Sequence, residues 1–293
     1  MTPTPNPATD DSMPESHRLS PHVELYNPTG RAAVLLLCDH AGKEVPEGLD
    51  LLGISEEALG RHIGWDIGAA AVTYRLARLL DAPALLDHVS RLVIDPNRRP
   101  WTPTSIPEVS DGCVIPGNRH LPRREVVRRI RTHFLPYHRA VARTIGGFRR
   151  RGILPVIVSV HSFTPYFAGE DRPWQVGVLW RGDRRLSDPV LAFLRRRPGL
   201  VVGDNQPYSG LRDFGYTIEF HAQRPRLPHI MFELRQDEVA GEDGAARFAD
   251  LLAAALAEPL ANPAVYRLFE GNDLADFAGR PGWRHASRLS PLG

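Results

Sequence analysis

Two uninterrupted apolar runs break an otherwise mixed pattern, residues 32–38 (AAVLLLC) and 153–160 (ILPVIVSV). Runs of this length without alternation predict strands buried on both faces, the habit of a largely parallel sheet. Each ends abruptly in polar residues, Asp39-His40-Ala41-Gly42 and His161-Ser162-Phe163. Shorter apolar segments at 84–86, 89–94, 175–180, 200–202 and 230–234 predict further strands. Between them the spacing turns helical. Ser55, followed by Glu56 and Glu57, starts a helix over 55–80 with a break expected near Gly64. Residues 123–151 put Val126, Val127, Ile130, Phe134, Tyr137 and Val141 on one face, with a kink expected at Pro136. Residues 186–197 and the Ala/Leu-rich 245–260 complete the helices. Strands alternating with helices predict an α/β protein: a three-layer α/β/α sandwich with a mostly parallel or mixed central sheet, phosphorylase/hydrolase-like in kind.

The chain has no internal repeat, and 293 residues suit one α/β domain. The opening MTPTPNPATDDSMPES is polar, Pro-rich and acidic, which predicts a disordered tail over 1–20 and speaks against a signal peptide. A single catalytic domain is expected over 21–265, with a C-terminal extension over 266–293. Asp95-Pro96-Asn97-Arg98-Arg99-Pro100 forces a turn, and residues 101–121 form a long Pro/Gly-rich loop of the kind that often carries function.

Composition narrows the partners. The formal net charge is +2, and the Arg clusters at 123–124, 149–151 and 195–197 read as solvated helix ends and surface, so nucleic acid is not an expected partner. No apolar run approaches a membrane span. Two cysteines, Cys38 and Cys113, make no disulfide framework and fit a reduced, cytoplasmic protein.

The chemistry gathers at strand ends, where ligands bind in α/β sheets. His40 and His161 come directly after the two buried runs, in matching positions. Neutral imidazole is a common metal ligand, and a catalytic zinc takes three protein ligands plus water. Two residues qualify as the third ligand: Glu44, otherwise an exposed turn charge, and Asp66, otherwise a helix cap beside glycine. Arg91 and Arg98 lie around the 89–94 segment and its terminal turn, and Arg98 with Asn97 offers a fork and an amide to a carboxylate. The alternative is that Arg98 pairs with Asp95. Glu233 lies in the apolar segment His229-Ile230-Met231-Phe232-Glu233-Leu234-Arg235, where an unpaired carboxylate is costly. Either catalysis or a salt bridge to Arg235 or Arg98 accounts for it. A serine hydrolase would need a Gly-x-Ser-x-Gly elbow, and a nucleotide-binding protein a phosphate loop; neither pattern occurs.

Five elements in order, Asp39-His40-Ala41-Gly42-Lys43-Glu44-Val45-Pro46, Trp65-Asp66-Ile67-Gly68, Ser90-Arg91-Leu92-Val93-Ile94-Asp95-Pro96-Asn97-Arg98, Val160-His161-Ser162-Phe163 and Glu233-Leu234-Arg235-Gln236-Asp237, resemble the N-formylglutamate amidohydrolase family over residues 34–260. That family is similar in fold to zinc carboxypeptidases and their acylase relatives. The resemblance implies hydrolysis of the amide of a small N-formyl or N-acyl amino acid, with one zinc per chain. His40 and His161 are then zinc ligands, Asn97 and Arg98 a carboxylate clamp, and Glu233 the general base. Arg91 is expected to stabilise the oxyanion, and Tyr208 and Tyr216 to close over substrate. The carboxypeptidase spacing of His and Glu is absent, since position 43 is Lys. The Trp-Asp element therefore favours Asp66 as the third ligand, with Glu44 second. A non-catalytic descendant that binds a small carboxylate is the competing reading, and homo-oligomerisation is left open.

Overall fold

The computed structural model describes residues 14–211 and 215–271. Eight strands form one mixed sheet: β1 (Ser16–Ser20), β2 (Val23–Tyr26), β3 (Val34–Cys38), β4 (Ala84–Asp87), β5 (Val156–Phe163), β6 (Val176–Leu179), β7 (Val202–Asp204) and β8 (His229–Arg235). Their spatial order is β1-β2-β4-β3-β5-β8-β6-β7. The central neighbours β4, β3, β5 and β8 run parallel, while β2 and β6 join them antiparallel.

Alternation along the central strands splits the core into two layers. Val34, Leu36, Val158, Ile230 and Phe232 face one side, where they meet Val72 and Leu76 of α1 (Ala69–Leu80). Leu191 of α3 (Ser187–Arg195) and Phe248 and Leu252 of α4 (Glu242–Ala261) pack in the same layer. Leu35, Leu37, Ile157 and Met231 face the other side, against Tyr137, Val141 and Phe148 of the long helix α2, which begins at Arg123 and closes with Leu135–Arg150. Each such side chain, taken fully out of water, contributes roughly 1.5–3 kcal/mol. The three-layer sandwich is the expected one.

Several local expectations change. Ser16–Ser20, inside the expected tail, is an edge strand: antiparallel pairing to β2 uses main-chain groups and does not need apolar side chains. Residues 1–13 and 272–293 lie outside the described residues. Hydrogen bonds to the rest of the fold continue past 265. Phe269 donates its N–H to the Arg226 carbonyl, and Arg185 donates to the carbonyls of Ala264, Val265 and Arg267. Residues 89–94 are not a strand. Leu92, Val93 and Ile94 are buried in a third apolar cluster with Leu52, Ile115 and Phe134, so the run is apolar because its turn is covered. The 55–80 helix breaks into Glu56–Gly60 and Ala69–Leu80, leaving 61–68 as a loop. In α2 the deviation precedes Pro136: the helix widens into a π turn over Ile130–Phe134, closed by the Leu135 N–H donating to the Ile130 carbonyl.

Candidate metal centre and active site

Strands β3, β5 and β8 run parallel side by side, so His40, just past β3, and His161 and Glu233, near the ends of β5 and β8, share one edge of the sheet. His161 and Glu233 are direct partners in the β5–β8 ladder. The loop before α1 brings in Asp66, whose backbone N–H donates to the His40 carbonyl at 3.1 Å.

Asp66 joins the two histidines. Its Oδ2 lies 3.2 Å from His40 Nδ1 and 2.8 Å from His161 Nδ1, and accepts the Ser162 backbone N–H at 3.3 Å. Donor atoms of His40, Asp66 and His161 lie within 4.8 Å of one another, and all three residues are buried. Two neutral imidazoles and a carboxylate are the donor set of a three-ligand zinc site with an open position. The far nitrogens also face carboxylates: His40 Nε2 is hydrogen-bonded to Asp95 Oδ1 at 2.9 Å, whereas His161 Nε2 makes a longer ion-pair contact with Asp39 Oδ2 at 3.3 Å. Carboxylates behind metal-binding imidazoles orient the rings and raise their basicity. Asp39 is in turn held by the Tyr137 hydroxyl, which donates to its Oδ1 at 2.6 Å. Glu233 Oε2 is buried without a hydrogen-bond partner, a polar atom beside the cleft that a bound ion with its water would satisfy. The residues fit a zinc ion.

The charges explain how so many acids coexist. Burial alone would raise the Asp66 pKa, but His40 and His161 hold it well below the usual carboxylate range. Burial would lower His161, yet hydrogen bonds and charge from Asp39 and Asp66 carry it well above an ordinary histidine. Arg91 donates from Nε and Nη2 to Asp95 at 3.1 and 2.7 Å, and from Nη1 to Asp66 at 3.2 Å. Glu233 lacks such a partner. Burial, with the negative charge of Asp66 added, pushes its pKa up to about 7 against the pull of His161, Arg91 and His40.

A cleft of about 620 Å³ opens over this group and is lined by His40, Asp66, Arg91, Asn97, Arg98, His161, Tyr208 and Glu233. Asn97 is locked: its side-chain oxygen accepts the Thr217 N–H at 3.1 Å, which leaves its amide N–H groups as the donors on offer. Gly215 makes this possible. It has φ +86°, and a Cβ there would sit 2.4 Å from the Asn97 side-chain oxygen. Gly215→Ala is therefore expected to displace the Asn97 amide and break the Thr217 N–H bond to it, measured as faster hydrogen exchange of the Thr217 amide. Gly177 faces Glu233 across the β6–β8 ladder, where a Cβ would lie 2.0 Å from the Gln206 carbonyl oxygen. The loop over Asp204–Ser209 thus presses directly on the sheet beside Glu233 and forms one wall of the cleft.

Two expected site residues lie elsewhere. Glu44 is half-exposed and bonds His22 Nδ1 at 2.6 Å, outside the His40–Asp66–His161 group. Tyr216 is buried against Phe134, His138 and Phe220 and does not line the cleft. Tyr208 does line it, with its hydroxyl accepting from Arg172 at 3.1 Å. Arg98 lines the cleft, with its Nε 4.0 Å from Asp95 Oδ2, so the expected ion pair to Asp95 is present as a long contact. Asp39 and Asp95, the partners of the histidines, are not among the residues that sequence reasoning selects. Nothing in the local sequence marks either as a partner: Asp39 is adjacent to His40 but serves His161, and Asp95 is 55 residues from His40.

The chain is similar to the crystal structure of the gene product Atu2144 from Agrobacterium tumefaciens, at 33% identity and a TM-score of 0.78, covering 83% of this chain and 96% of that one. It shares the fold of the N-formylglutamate amidohydrolase from Ralstonia eutropha, at 21% identity and a TM-score of 0.65, covering 82% and 97% respectively. A comparison with curated proteins gives no match. The family model for N-formylglutamate amidohydrolase matches residues 32–240, and the chain belongs to that family.

Proposed function

We propose that the chain is a zinc-dependent hydrolase of the amide bond in an N-formyl or N-acyl amino acid such as N-formylglutamate. The observation that carries this reading is the convergence of His40, Asp66 and His161 beside a buried, unpaired Glu233. His40, Asp66 and His161 would hold the ion, which supplies Lewis acidity for the amide carbonyl and for water.

The remaining work falls to the chain. Glu233, with a pKa near 7, is suited to take a proton from the attacking water and return it to the nitrogen as the carbon–nitrogen bond breaks. Asn97 and Arg98 receive the substrate carboxylate through charge-assisted hydrogen bonds. Arg91 commits N–H groups to Asp95 and Asp66, so its first effect is to fix and neutralise those acids; it also lines the cleft, where its positive charge favours a developing oxyanion. The free thiols Cys38 and Cys113 fit a reducing cytoplasm.

The test compares N-formyl-L-glutamate with its α-carboxamide on wild type and Arg98→Ala, alongside zinc content. Wild type is expected to prefer the acid by about ten- to a hundredfold in kcat/KM, the worth of one charged hydrogen bond. Arg98→Ala is expected to lose most of that preference. Equal discrimination by both enzymes would remove Arg98 from the clamp.

A further inference from the structure

Behind the clamp lies a buried histidine pair that the hydrolytic steps do not use. His138, on α2, and His221, in the π turn Glu219–Gln223, are each more than nine-tenths buried. Their rings lie edge to edge and nearly parallel, with centroids 5.2 Å apart and 12° between planes. His138 Nδ1 is 2.9 Å from His221 Nε2, and His138 Nε2 is 3.0 Å from the Pro96 carbonyl oxygen.

Hydrogen-bond valence fixes the direction of this chain. A carbonyl only accepts, so His138 Nε2 carries the proton. Burial keeps the ring neutral, with its pKa pushed down to about 4, so Nδ1 is an acceptor. His221 Nε2 must then donate. The chain runs from His221 to His138 to Pro96.

Pro96 sits between Asp95, which holds His40 and Arg91, and Asn97, which lines the cleft. The main chain of this turn is gripped on several sides. Asn97 N–H donates to Asp95 Oδ1 at 2.8 Å, and Tyr216 N–H donates to the Asn97 carbonyl at 3.0 Å. Tyr216 also sets its ring edge-on to His138, with centroids 5.1 Å apart. The pair therefore ties α2 and the 215–223 segment to the back of the turn that presents Asn97 and Arg98. A π turn lies before His138 in α2, and another contains His221. Such turns insert a residue, re-aim the side chains beyond it, and recur at functional sites.

We propose that His138 and His221 are positioning residues for the Asn97–Arg98 turn, acting through a directed imidazole–imidazole–carbonyl chain that sets substrate binding without touching substrate. The kinetic part rests on the hydrolase reading above; the main-chain part does not.

The experiment measures amide hydrogen exchange, steady-state kinetics and zinc content for His138→Phe, His138→Gln and His221→Phe. In His138→Phe, protection of the Asn97, Tyr216 and Thr217 amides is expected to fall about five- to tenfold, the worth of one neutral hydrogen bond. Strand amides in Val156–Phe163 are expected to hold. KM for N-formyl-L-glutamate should rise by a similar factor, with kcat and zinc content near wild type. Gln can donate to Pro96 and accept from His221, so His138→Gln should recover both readouts. Wild-type protection at these amides in His138→Phe overturns the proposal, as does an equal loss across the sheet, which would mark the pair as general packing. Should His138→Phe fail to fold, His221→Phe leaves the Pro96 bond but removes the donor to Nδ1, and unchanged protection there is equally decisive. If wild type hydrolyses no N-acyl amino acid, the hydrolase reading falls and amide protection still decides this one.

Discussion

Asp66→Asn is expected to remove stoichiometric zinc. One oxygen of Asp66 meets both imidazoles, so the substitution takes away a ligand and the anion against which the two rings are set. Loss of a residue that only supports a ligand costs about ten- to a hundredfold in metal affinity, and loss of the ligand itself should exceed that. Glu44→Gln is the control. Glu44 pairs with His22 at the surface, so that variant should keep its zinc. Elemental analysis after dialysis, with titration against a competing chelator, separates the outcomes. Full occupancy in a folded Asp66→Asn protein would exclude Asp66 as a ligand.

Glu233→Gln is expected to keep zinc and lose about a hundred- to ten-thousandfold in kcat, the usual worth of a positioned general base. A change confined to KM would contradict that role. The same substitution has a second consequence, visible in the metal-free protein. A carboxyl whose pKa rises from 4.5 to about 7 on folding holds its proton more tightly in the native state. Stability therefore falls as pH rises from 4.5 to 7, by at most roughly 3 kcal/mol, and stays low above that. Glutamine carries no such cost. Glu233→Gln should unfold at higher urea than wild type at pH 8, with the gap closing near pH 4.5. Identical midpoints at pH 8 would mean that Glu233 is compensated in the native state.

Much of this site can be read from the chain because its key residues come directly after long apolar runs. Residues 32–38 and 153–160 declare buried strands, and parallel pairing then brings His40 and His161 to one edge. Glu233 is legible for a related reason, as a charge inside an apolar segment. The partners of the histidines are not legible. Asp95 lies 55 residues from His40 and reads locally as a turn residue, and only the folded sheet closes that distance. Tyr216 misleads because a Gly-rich neighbourhood suggests an exposed loop, whereas its ring completes an aromatic cluster over His138. Residues 89–94 mislead in the opposite sense, since burial of a turn leaves the same apolar signature as burial of a strand.

The missing side chain at Gly177 bears on how such an enzyme could diversify. Because the Gln206 carbonyl occupies the space where a Cβ would stand, the contact that seats this wall on the sheet is made by main chain. Variation at position 177 would push the loop away and disturb Glu233 with it. Variation in the side chains of Tyr208 and Ser209 changes what the cleft accepts while the backbone beneath stays put. The architecture thus separates the part that can drift from the part that cannot. A library confined to those two positions should yield altered substrate preferences at little cost to turnover, whereas one built on Gly177 should yield mostly inactive protein.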